Sequence, residues 1–417
     1  MTRRPPDPDQ QSAARITAQL PRAAPLALSR LRVLLLDLLG TRHVPASRLA
    51  ALAPGDWARL DALAQSYLCD PMLHHRRGGD AAIPAELRAS WRGRYRANAM
   101  RALVLKAELG EVVALLEGAG LAPIALKGAW LAWHAYPEPA LRPMSDIDLL
   151  LTVESVTAGY KLLQAHGYVV AAAPEMAMAD LLRFDKHLPE LRAPRGTIIE
   201  LHHRLGEPDG RLDHASPSHD EAAVRARAQR IDGILYPAPE DMLAHLLIHA
   251  AYGHRLNCGP VILADIAYFL ARYPVDWPQF WARAAREGWR AGARLLLAVA
   301  AEHDDLDIAL TGDAGPPPAL AILNSFPDLI LQDRATVQNA GLLATGFVGG
   351  RGNLWRRLRG LRGTHDGAQA PRDWSQEGGF IGWAGSRLWR FGGQLFHPEL
   401  LRQSRDLARF SRWLDER

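Results

Sequence analysis

Apolar side chains recur at three- and four-residue intervals through "RLRVLLLDLLG" and "RANAMRALVLKAELGEVVALLEGAG", the spacing of helices with one buried face. The second run closes on Gly118 and Gly120, residues suited to a helix C-terminus. Between them "HHRRGGDAAIP", residues 74–84, predicts an exposed loop. At Leu121 the period changes. "LAPIAL" and "DIDLLL" read as strands on either side of a helical "KGAWLAWHAY", and "VESVTAGYKLLQAHG" is helical again before a third strand in "YVVAAA". In "KHLPELRAPRGTIIELHHRL" two extended segments meet at Pro194-Arg195-Gly196, a hairpin turn by composition. Helical patterns return from about 220 to 308 in "PEDMLAHLLIHAAYGH", "PVILADIAYFLARY" and "DWPQFWARAAREGW".

This order predicts an α+β fold, a small mixed sheet with N-terminal and C-terminal helical regions. The expected segments are a disordered Pro-rich lead (1–24), a helical N-terminal domain (25–118), the sheet-bearing core (119–215), a second helical domain (216–310) and an Arg/Trp-rich extension (311–417). The loop "TGDAGPPPA" opens the extension. There is no internal repeat.

Composition changes this picture little. Of 417 residues 48% are hydrophobic and 23% charged, enough apolar content for a large core. A formal charge of +4 suits a polyanionic substrate without requiring nucleic acid. Two cysteines, Cys69 and Cys258, exclude a disulfide framework, and their scarcity points to a reducing, cytoplasmic setting. The start "MTRRPPDPDQQSAARITAQL" lacks the apolar stretch of a signal peptide. Arg30, Arg32 and Asp37 interrupt "LALSRLRVLLLDLLG", and no run reaches the ~18 apolar residues of a transmembrane segment.

The chemistry begins with "SDIDLLL". Strand alternation projects Asp146 and Asp148 from one face, where two like charges repel unless a cation neutralises them. Mg²⁺ takes carboxylate oxygens and commonly bridges protein and substrate phosphates. A solvent-facing edge strand would look the same, but two further features favour the metal. In "LKGAW" a strand runs into Gly128 and a helix begins at once, a turn whose free amides suit phosphate, with Lys127 adding charge. In "TIIELHHRL" a third carboxylate, Glu200, emerges from an apolar strand. Three carboxylates could hold two metal ions about 3.5–4 Å apart, the arrangement used for in-line phosphoryl transfer.

The order strand–Gly–helix, then two aspartates flanking an apolar residue, then a distant glutamate resembles the DNA polymerase β-like nucleotidyltransferase superfamily. Within it, "LAPIALKGAWLAWHAYPEPALRPMSDIDLLL", "KHLPEL" and "IIELHHRL" resemble the family labelled uncharacterised nucleotidyltransferases, over roughly residues 45 to 300. The resemblance implies that Asp146 and Asp148 hold metal, that Glu200 is the third acidic position and that Gly128 belongs to the phosphate-binding turn. Ala129 departs from it, since Gly or Ser is common there, and the interval from Gly128 to Asp146 is longer than usual.

The implied activity is Mg²⁺-dependent transfer of NMP from a nucleoside triphosphate such as ATP to a hydroxyl of a small molecule, peptide or protein, with pyrophosphate released; a tailoring role in peptide or natural-product chemistry would fit. The alternatives are a nucleotide-binding or regulatory protein without turnover and a nucleotidyltransferase toxin acting on RNA, nucleic acid being the less favoured partner. Arg142 could fork onto phosphate. His187, His202 and His249 are candidate pocket residues. His245 and His249 share a helical face but lack the glutamate of a zinc-protease motif. Asp265 could position an acceptor. Trp355, Trp383 and Trp389 are expected to pack in a helical appendage.

Overall fold

The computed structural model describes residues 26–172, 178–206, 217, 220–332 and 398–415. Its strands are β1 (Ile124–Ala125), β2 (Asp146–Leu150), β3 (Val169–Val170), β4 (Leu191–Arg192), β5 (Ile198–His202), β6 (Gln229–Ile231) and β7 (Ile234–Tyr236). They form one mixed sheet in the order β3-β4-β5-β2-β1-β7-β6. The mixed sheet among many helices agrees with the expected class.

β2 lies at the centre, antiparallel to β1 and parallel to β5. Its residues Ile147, Leu149 and Leu150 are all buried, as the continuous apolar run requires of an interior strand. A parallel neighbour needs a crossover. The chain makes it through helix Val153–Ala165, β3, helix Met178–Phe184 and β4, and the β4–β5 hairpin turns at the expected Pro-Arg-Gly. The sheet also runs past residue 215. β6 and β7 form a hairpin whose turn residues Asp232 (φ 49°) and Gly233 (φ 85°) are both left-handed, the conformation an Asp-Gly pair favours in a tight hairpin. β7 then pairs parallel with β1.

Helix Ala85–Gly118 spans 34 residues and buries Trp91, Leu105, Leu109, Val112 and Leu116. It clamps the chain entering β2. Asn98 Nδ2 donates to Ala140 O at 2.6 Å, and Arg101 donates to Met144 O at 3.0 Å and Ser145 O at 3.2 Å. Helix Leu28–Leu39 buries Leu31, Leu34, Leu35 and Leu38, one face at helical spacing. Its Arg32, 1% exposed, reaches Asp328 at 2.7 Å and Glu399 at 2.9 Å, tying helices Leu320–Ile330 and Pro398–Asp415 to the N-terminal one.

The loop expected at 74–84 needs correction. "HHRR" closes helix Asp70–Arg77, and Ile83 is buried. Arg77 donates to the carbonyls of Asp37, Leu38, Gly40 and Arg42, so a charged side chain satisfies the exposed C-terminal end of another helix. Trp355, Trp383 and Trp389 lie outside the described residues. Among the described residues no helix is long and apolar enough to cross a membrane.

Candidate active site

The β2–β5 register sets Asp148 directly beside Glu200. Asp146 and Asp148 share a face of β2 by alternation, and Ile147 and Leu149 turn into the core behind them. His202, two residues beyond Glu200, emerges on the same face. Its Nε2 lies 2.8 Å from Asp148 Oδ1 and 3.1 Å from Glu200 Oε2. Both neighbours only accept, so Nε2 carries the proton and donates it. From the β1 side Lys127 Nζ donates to the same Oδ1 at 2.8 Å. Lys127 sits at φ 48°, a backbone state that costs a side-chain-bearing residue energy and that recurs at functional sites.

The electrostatics follow from burial and crowding. Asp146 is pushed up to about 6 by burial, then by the charges of Asp148 and Glu200. Asp148 is only 5% exposed. Burial opposes its charge, yet Lys127 and the hydrogen bond from His202 hold it well below the usual carboxylate range. Burial, the largest influence, also opposes ionised Glu200, but the His202 hydrogen bond and the His187 and His202 rings together outweigh it and the Asp148 charge, so Glu200 ends low. For His202 and Lys127 burial is again overcome by the carboxylates, and both are raised. Three acidic groups are thus compensated by one ammonium and one imidazole, and Asp146 is the first to accept a proton.

The other expected residues scatter. His187 bridges to His202 across the strand edge, with its Nε2 4.0 Å from Glu200 Oε2. Gly128 is buried, and an added Cβ would fall 2.6 Å from Arg142 Nη1 and 2.8 Å from the Met144 side chain, so packing demands the glycine. Two of the amides at this turn are used within the chain. Ala129 N donates to Leu126 O and Trp130 N to Lys127 O. Arg142 forks onto Asp265, Nε to Oδ1 at 3.2 Å and Nη2 to Oδ2 at 3.1 Å, and Tyr136 donates to the same carboxylate at 2.7 Å. Asp265 lies buried within helix Val261–Arg272, so it anchors the approach to β2 from the helical side.

His254 and Lys186 escape the sequence reading, which gave only His249 of this group. Helix Pro239–Ile248 runs into a turn of π-helix, His249–Gly253, with His254 N donating to His249 O at 2.9 Å. Arg255 and Leu256 follow at φ 48° and 68°. The Nε2 atoms of His249 and His254 lie 2.7 Å apart. His249 is held well below its ordinary range by burial, then by Lys127, His254 and Lys186. His254 is brought down to about 4 by burial, then Lys186 and Lys127, against the pull of Asp148 and Glu200. The charges of Lys186 and Lys127 thus act on both rings, and those of Asp148 and Glu200 on His254. The available signal was "HAAYGH", where a glycine breaks the helix between two histidines.

Residues 53–303 match the family described as "Uncharacterised nucleotidyltransferase", a span that takes in the whole sheet, the acidic cluster and the histidine turn. The chain belongs to that family. No curated protein and no solved structure matches the chain significantly. Membership in a nucleotidyltransferase family makes the chain a transferase with a nucleoside triphosphate substrate. Asp148, Glu200 and His202 can hold a metal ion, with ligand atoms within 4.8 Å of one another. That trio differs from the expected Asp146, Asp148 and Glu200 by exchanging one carboxylate for an imidazole. The donor set nonetheless fits a hard divalent cation: the oxygens now held by Lys127 and His202 are the ones it would take, and burial makes an uncompensated carboxylate cluster costly.

Proposed function

We propose that this protein is a Mg²⁺-dependent nucleotidyltransferase, of the polymerase β-like type, that moves NMP from a nucleoside triphosphate to a hydroxyl acceptor. The reading is carried by one observation, the in-register pairing of Asp148 with Glu200, bridged by His202 and countered by Lys127. In it Asp146, Asp148 and Glu200 would hold two ions, and His202 keeps the Asp148 and Glu200 carboxylates side by side. When bound, the metal would neutralise charge on the triphosphate and on the entering and leaving oxygens.

The chain's own groups do the rest. Lys127 compensates Asp148 and stands at the phosphate side of the site, where its ammonium can bind a triphosphate oxygen. Glu200 accepts the proton of the acceptor hydroxyl, whose oxygen attacks the α-phosphorus. The bond to the bridging oxygen breaks and pyrophosphate leaves. Arg142 is spent on Asp265 and serves to position the segment leading to Asp146. Lys186 and Lys127 supply the positive charge here that suits a polyphosphate, and His249 and His254, kept neutral by burial and these lysines, would offer it only hydrogen bonds. The intact acidic cluster weighs against a binding-only role.

The test is incubation with each α-labelled nucleoside triphosphate, Mg²⁺ and candidate acceptors, small molecules and RNA included. Labelled acceptor and pyrophosphate are expected from the native chain and neither from Asp148→Ala. Transfer that survives in the variant would sink the assignment, and pyrophosphate without labelled acceptor would indicate hydrolysis instead.

A further inference from the structure

His202 brings a nitrogen donor into a site whose other donors are carboxylate oxygens. β5 fixes it there. Glu200 and His202 alternate onto one face of the strand, and the parallel register sets Glu200 beside Asp148. The ring is 2% exposed, so packing holds its orientation, and Nε2 stands 2.8 Å from Asp148 Oδ1 and 3.1 Å from Glu200 Oε2.

That spacing is also the spacing of a coordination sphere. Bonds of about 2.1 Å meeting at right angles put neighbouring ligand atoms about 3.0 Å apart. The ring nitrogen keeps such a separation from both oxygens, and the three residues offer ligand atoms within 4.8 Å of one another. A histidine that merely orients a metal-bound carboxylate serves one acid. His202 touches an oxygen of each, so an ion that takes both oxygens from the ring's side has its third ligand in place. His187 does not share this geometry, because its Nε2 stands 4.0 Å from Glu200 Oε2, too far for the edge of such a sphere.

The mixed donor set selects the cation. Mg²⁺ is hard and takes oxygen ligands, whereas imidazole favours first-row transition ions, with affinity rising from Mn²⁺ through Co²⁺. We propose that His202 is a direct ligand of one of the two ions and gives that position a preference for a first-row transition cation over Mg²⁺. The inference rests on the nucleotidyltransferase reading above and makes its two ions inequivalent. One, met through Asp146 by oxygens alone, suits Mg²⁺ on the triphosphate, and the other is held by Asp148, Glu200 and His202. Ligation uses the Nε2 lone pair, so the proton that Nε2 now donates to the carboxylates passes to water.

The full chain is loaded with substoichiometric Mn²⁺ and examined by pulsed paramagnetic resonance for coupling to a coordinated nitrogen. The coupling is expected in the native chain, altered when its histidines are isotopically labelled, kept in His187→Gln and lost in His202→Gln. Competition gives a second readout. The Mg²⁺ concentration that displaces half of the Mn²⁺, divided by the Co²⁺ concentration that does the same, should drop about tenfold or more in His202→Gln. The labelled native chain and His187→Gln carry the test where His202→Gln fails to fold. Mn²⁺ that depends on Asp148 and Glu200 but shows no nitrogen coupling overturns the inference and leaves the nucleotidyltransferase reading standing. Coupling that disappears in His187→Gln instead, or an unchanged preference in His202→Gln, does the same. Mn²⁺ that fails to bind, or that binds Asp148→Asn equally well, overturns both.

Discussion

Asp148 is the residue on which the charges of the site converge. Its Oδ1 receives both Lys127 and His202, so removing its charge leaves two buried cationic groups uncompensated. Asp148→Asn should lose transfer and also cost about 3 kcal/mol of stability, the usual scale for breaking a buried pair. Adding Lys127→Met should restore part of that stability and none of the activity, which a double-mutant cycle by denaturant unfolding reads directly. Unaltered stability in Asp148→Asn would contradict the pairing. His202→Gln should retain the fold while metal affinity falls about 10–100-fold, as for groups that orient ligands. His254 gives a pH prediction. Folded, it is held to about 4 by burial and the Lys186 and Lys127 charges, whereas unfolded it titrates near 6.5. Between those values only the unfolded chain carries the proton, so this contribution is complete above about 6.5 and is lost as pH falls toward 4. His249 adds in the same direction, while Asp146, raised to about 6, opposes both. Melting temperature should fall less steeply over that interval in His254→Asn. An equal slope in both proteins would refute the assignment.

At the scale of elements, the site depends on three segments being brought to one strand end. Alternation in "DIDLLL" and the Pro-Arg-Gly hairpin were legible, because period-two patterning and turn composition act over a few residues. That Glu200 joins the aspartates came from the family resemblance, and its in-register pairing with Asp148 was not legible, because it joins strands separated by two helices and a hairpin, and no local pattern encodes such a register. The β6–β7 hairpin was missed although Asp232-Gly233 marks it, its strands being only three residues each. Sequence could show that Arg142 is a fork of donors but not that Asp265, on a helix far along the chain, would occupy it. That pairing yields a prediction for the element. Asp265→Ala leaves the Arg142 guanidinium and the Tyr136 hydroxyl buried without their acceptor, and should cost about 3–5 kcal/mol in denaturant unfolding. A loss below about 1 kcal/mol would mean that the approach to Asp146 is held chiefly by Asn98 and Arg101.

Across the whole molecule, the sheet core sits within helices that the ends of the described chain help to bind. Arg32 links the first helix to Asp328 and Glu399, and Arg402 joins Asp328 at 3.0 Å. Arg32→Ala should therefore loosen helix Pro398–Asp415 and expose it to limited proteolysis. Arg32→Met, which keeps the buried volume, should be less damaging. The central claim, that Asp148 and Glu200 form a divalent-cation site completed by a nucleoside triphosphate, can be tested without knowing the acceptor. Mn²⁺ bound per chain, read from its paramagnetic resonance signal with and without a non-hydrolysable triphosphate, tests it most directly. The account predicts binding that the triphosphate strengthens and that Asp148→Asn and Glu200→Gln each abolish; Mn²⁺ binding that is indifferent to both substitutions would contradict it.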